Sequence, residues 1–106
     1  MGNEARVSSA FAVFQTQAPE HARAWMEVAQ KLDAASALDK RTEELAYIAV
    51  LVAVRLEGGI PFHVKMAKGA GATRDEVLSA VLIGLPAVGN APVQSLPAAL
   101  KAFDED

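Results

Sequence analysis

The chain has 106 residues, with 52% hydrophobic and 22% charged side chains and a formal net charge of −3. That composition belongs to a packed domain rather than a disordered segment, and the length fits a single domain over residues 1–106. The sequence has no cysteine, which excludes disulfides, thiol redox chemistry and cysteine-ligated metal centres. Its basic residues are scattered without a run, which argues against nucleic-acid binding.

The elements expected in chain order are helices. Val7, Ala10, Phe11 and Phe14 form a stripe at helical spacing within a first helix from Glu4 to Gln17. Pro19 suits the first turn of a second helix reaching about Ala35, with Ala22, Trp25, Met26, Ala29 and Leu32 on one face. The Trp25–Met26 pair reads as core or subunit interface, and His21 as a surface residue. Asp39 is an expected N-cap for a third helix from Lys40 to about Leu56. Its centre, Leu45 to Val54, is apolar on every face, so the helix is expected to be central and buried. That run of ten residues is half of what a membrane span needs, about twenty. With no signal peptide visible in the polar N-terminus, the expected address is the cytoplasm.

Gly58-Gly59 is expected to end the third helix and Pro61 to start a fourth, which carries His63 and ends near Gly69 or Gly71. Thr73-Arg74-Asp75-Glu76 spells a capping box opening a fifth helix closed by Pro86, with Val77, Ala80, Val81, Gly84 and Leu85 on one stripe. Gly89, Pro92 and Pro97 interrupt the next stretch, and a short last helix runs from Ser95 or Leu96 to about Phe103, before a frayed acidic tail. No period-2 alternation bounded by hairpin turns occurs, so the fold class is all-α, a compact bundle of five to six helices.

Two residues carry chemistry. Glu44 borders the apolar run, where partial desolvation would raise its pKa and suit it to proton transfer; the local sequence alone favours a surface acid stabilising a helix N-terminus. His63 follows Pro61 at a tight helix entry and, taken alone, reads first as a structural histidine. Arg55 is the nearby cation best placed for a substrate carboxylate, ahead of Lys65 and Lys68, although each could be merely solvated or sit at an interface. Glu57 reads as a solvated carboxylate.

The pattern Glu44, then His63 nineteen residues on, then the Gly71-Ala72-Thr73 turn resembles the carboxymuconolactone decarboxylase family, which includes the alkylhydroperoxidase D-like proteins. In its redox members the pattern is Glu, C-x-x-C-x-x-x-H, then a helix ending in a Gly-Ala-Thr turn. Aligning on His63 puts the two cysteine positions at Leu56 and Gly59, and the polar position between them at Gly58. The resemblance therefore implies an alkylhydroperoxidase D-like fold, a homo-oligomer, commonly trimer or hexamer, and chemistry without sulfur or cofactor. Glu44 and His63 would be an acid–base pair beside a pocket formed by Leu56, Gly59 and Phe62, with Arg55 at a substrate carboxylate. One reading is a cofactor-free lyase or isomerase acting on a small carboxylated lactone; the other is a non-catalytic oligomeric binding or scaffold protein with a vestigial site or a filled pocket.

Overall fold

The computed structural model describes residues 8–105, all helices and connectors, with no strand among them. Six helices have nine residues or more: α1 (Ser9–Gln17), α2 (Pro19–Ala35), α3 (Lys40–Ala53), α4 (Ile60–Gly69), α5 (Arg74–Leu82) and, after the single-turn α6 (Leu85–Val88), α7 (Leu96–Asp104). Two 3₁₀ turns, Glu57–Gly59 and Ala91–Ser95, lead into α4 and α7. The part of the predicted first helix before Ser8, with Val7 of its stripe, lies outside the described residues.

The helix starts follow the capping chemistry of the sequence. Ser8 accepts a hydrogen bond from the Phe11 backbone N–H, and Asp39 accepts one from that of Thr42 at 2.8 Å. Thr73 and Glu76 form a complete capping box, each side chain accepting from the other's backbone N–H. Pro19 and Pro61 occupy first turns, where the missing N–H costs nothing.

Apolar residues at helical spacing build the core. Ile48, Leu51 and Val52 of α3 meet Ile60, Val64 and Ala67 of α4, Val77, Ala80 and Val81 of α5, and Ala99 and Ala102 of α7. The α1–α2 hairpin stands apart from this core: Ala22 is its one buried residue, and Trp25 and Leu32 are 58% and 67% exposed.

Four expectations need correction. α3 is not buried all round, because its core stripe is one face wide; Tyr47, Val50 and Val54 lie outside it and are exposed. Nor does α3 reach Leu56. It stops at Ala53, where Arg55 takes a left-handed φ of +64°. The Leu56 N–H then bonds back to the Leu51 carbonyl at 2.9 Å, and the Arg55 N–H to that of Val52 at 3.2 Å, a Schellman ending built on an arginine. α4 ends in the same way on Gly71, with φ +99°. Pro86 does not close α5, which ends at Leu82; it sits in the first turn of α6, where a proline is tolerated. Finally, Asp104 belongs to α7 rather than a frayed tail, because the Arg74 guanidinium donates to both its carboxylate oxygens, at 2.9 and 3.0 Å.

Thr73→Ala removes one side of the capping box and is expected to lower the unfolding free energy by about 1 kcal/mol. Ile48→Ala opens a cavity in the core and should cost about 2–5 kcal/mol. Denaturant titrations check both, with midpoints falling in that order.

Candidate active site

Glu44 lies on the same face of α3 as Ile48 and Leu51, and is 5% exposed. A carboxylate in such a stripe is costly unless it is paired. It has two partners. His63 Nδ1 lies 2.8 Å from Oε1, and Lys40 Nζ 3.3 Å from Oε2. Burial is the largest single influence on the Glu44 carboxyl and pushes its pKa up. The hydrogen bond and charge of His63, followed by those of Lys40, together outweigh burial and hold it below the usual glutamate range. The upward shift expected from desolvation alone is therefore reversed.

His63 is one residue before the buried Val64, so its ring emerges at the edge where α4 meets α3. Tyr47 and Phe62 flank it, with ring centroids at 4.4 and 5.2 Å and the Phe62 contact nearly perpendicular. With Nδ1 turned to Glu44, the opposite edge of the imidazole carries Nε2 and Cδ2, and Cδ2 lies beside Gly59. A Cβ placed on Gly59 would lie 3.9 Å from His63 Cδ2 and 3.4 Å from Leu51 Cδ1. Among the described residues Nε2 has no hydrogen-bond partner. A neutral His63 that donates from Nδ1 to Glu44 leaves Nε2 as an acceptor, whereas an imidazolium presents Nε2–H as a donor.

That edge opens on a cleft of about 530 Å³ between the α1–α2 hairpin and the α3–α4 pair. Phe11, Trp25, Met26 and Ala29 form one wall; Tyr47, Leu51, Leu56, Gly58, Gly59, Phe62 and His63 form the other, and Ser8 stands at the rim. Residues 19–105 match the sequence model of the carboxymuconolactone decarboxylase family.

The chain belongs to the carboxymuconolactone decarboxylase family.

The fold agrees. The crystal structure of the apo form of a carboxymuconolactone decarboxylase family protein from Legionella pneumophila superposes with a TM-score of 0.76 at 31% sequence identity, covering 91% of this chain and 86% of that one. No curated protein matches the chain at a significant level. Leu56 and Gly59, the two positions that the sequence resemblance matches to cysteines of the redox members, lie on the cleft wall. Leucine adds an apolar surface, and glycine leaves unfilled the volume beside the His63 ring.

The structure brings Glu44 and His63 together and places Leu56, Gly59 and Phe62 on the cleft. It does not bring Arg55 there. The left-handed turn at the end of α3 leaves this residue exposed and outside the lining, and no lysine or arginine is among the lining residues. Lys68 instead caps α7, donating to the Phe103 carbonyl at 2.6 Å, and Lys65 donates to the Glu105 carbonyl. Glu57 and His21 are exposed and outside the cleft. The wall contributed by Phe11, Trp25 and Met26 escaped the sequence reading. Its signal lies in Phe11 of the α1 stripe and in the Trp25–Met26 pair of α2, a pair that reads from sequence as core or subunit interface.

Because the folded pKa of Glu44 lies below its unfolded value of about 4.3, its contribution to stability is complete above that value and is lost as pH falls through the lower folded one. Glu44→Gln removes this dependence. The stability difference between wild type and variant is expected to be largest above about pH 5 and to shrink on acidification. Urea unfolding across that range checks it; a difference independent of pH would rule out Glu44 as the titrating group.

Proposed function

We propose that this protein is a cofactor-free lyase or isomerase acting on a small carboxylated lactone. His63 is the general acid and Glu44 the carboxylate that orients it and stabilises its charge. The observation that carries this reading is the 2.8 Å contact between His63 Nδ1 and a buried Glu44, with the opposite ring edge turned to an apolar cleft. In the decarboxylating form, the bond from the carboxylate carbon to the ring carbon breaks and CO₂ leaves. The electron pair passes into the neighbouring unsaturated carbonyl system as an enolate. His63 Nε2–H then protonates the carbon. The imidazole is left neutral, still donating from Nδ1 to Glu44, and water reloads Nε2. The apolar walls supply little solvation for the substrate carboxylate, which favours its departure as a neutral molecule. Leu56, Gly59 and Phe62 would contact the substrate; the reading needs no carboxylate anchor at Arg55.

The lack of any lysine or arginine on the cleft wall favours a second reading, a binding protein that holds a neutral apolar ring without transforming it. A panel of carboxylated lactones separates the two. Under the enzyme reading, CO₂ release or isomerisation falls by about 10²–10⁴ in His63→Gln, the usual worth of a general acid. Background-level turnover in both proteins, with a neutral apolar ring compound bound equally by each, favours the binding protein.

We also propose that the chain is a homo-oligomer, a trimer or hexamer. Val50, Val54 and Ile83, at 54%, 58% and 70% exposure, join Leu32 as large apolar side chains that a partner surface would cover. Light scattering is expected to return three or six times the chain mass, and a monomer mass would overturn this.

A further inference from the structure

Lys40 opens α3, and helix physics alone disfavours it there. A cation at a helix N-terminus opposes the macrodipole, and lysine four residues ahead of glutamate is the weaker order for such a pair. Three carboxylates hold it. Lys40 Nζ lies 3.3 Å from Glu44 Oε2, 3.6 Å from Asp33 Oδ1 on α2 and 3.7 Å from Glu43 Oε1. Of these only Glu44 is buried; Asp33 and Glu43 keep substantial contact with water. The two oxygens of Glu44 are thus divided, Oε1 to His63 and Oε2 to Lys40. A carboxylate held at both oxygens cannot rotate away from the imidazole without breaking a second contact.

We propose that Lys40 is a positioning residue, which holds Glu44 ionised and oriented so that His63 Nδ1 stays bonded and Nε2 stays on the cleft. Its effect on turnover rests on the acid–base reading above; its effect on Glu44 does not. The ionisable groups around Glu44 are Lys40 and Glu43 on its own helix, Asp33 on α2 and His63 on α4. Asp33 hydrogen-bonds to Glu43 and raises its carboxyl, whereas the carboxyl of Glu44 is lowered, so the two neighbouring signals must be assigned separately.

The test is ¹³C NMR of the Glu44 side-chain carboxyl during acid titration of the full chain, its signal assigned by its absence in Glu44→Gln. In Lys40→Met the Glu44 midpoint is expected to rise by roughly one pH unit, the lower end of the effect of an adjacent opposite charge, and in Lys40→Arg to return to the wild-type value. Lys40→Gln provides a second neutral variant should the methionine protein not fold. A Glu44 midpoint unchanged in a folded neutral variant overturns the proposal. With a turned-over lactone, the acid limb of the rate profile moves upward with the Glu44 midpoint; a limb that stays in place also overturns it. A shifted midpoint in a protein that turns over no lactone upholds the role of Lys40 and counts against the enzyme reading alone.

Discussion

A buried carboxylate in an apolar helix stripe constrains everything near it. Glu44 occupies a place on α3 that the pattern of Ile48, Leu51 and Val52 would give to another hydrophobe. A buried carboxylate stranded without a partner is costly. Two neighbours are therefore required by the fold itself, one from the same helix and one from the next. The arrangement that compensates the charge also sets the imidazole of His63 against the carboxylate, with no sulfur involved.

The connector between α3 and α4 delivers the second partner. Two backbone hydrogen bonds close α3 around Arg55, the 3₁₀ turn at Glu57–Gly59 redirects the chain, and Pro61 fixes the first turn of α4. A left-handed conformation costs a residue with a side chain about 1–2 kcal/mol relative to the right-handed one. The closing hydrogen bonds and the burial of Ile60 immediately afterwards offset that cost. The same turn carries the arginine side chain away from the cleft and leaves Leu56 and Gly59 on it.

Much of this was legible because it is local. Asp39, Thr73 with Glu76, Pro19 and Pro61 announce helix starts through bonds made within a few residues, and the spacing of Glu44, His63 and the Gly71 turn pointed to the family. What escaped depends on contacts between distant segments or on a rule broken locally. Arg55 ends a helix where Gly58-Gly59 gave the stronger terminating signal. Pro86 fits the start of a one-turn helix as well as the end of a long one. The direction of the Glu44 shift depends on the reach of two side chains, which no local pattern reports. An apolar stripe such as that of α2 says that something covers it, without saying whether that is core, another subunit or the space of a cleft.

Trp25 carries one more consequence. It is the only tryptophan in the chain, and it stands on the cleft wall opposite the imidazole, largely open to water. Indole emission shifts to shorter wavelength when water is displaced from around the ring. The native protein thus contains its own optical gauge of cleft occupancy, read without a label and before any reaction has been identified.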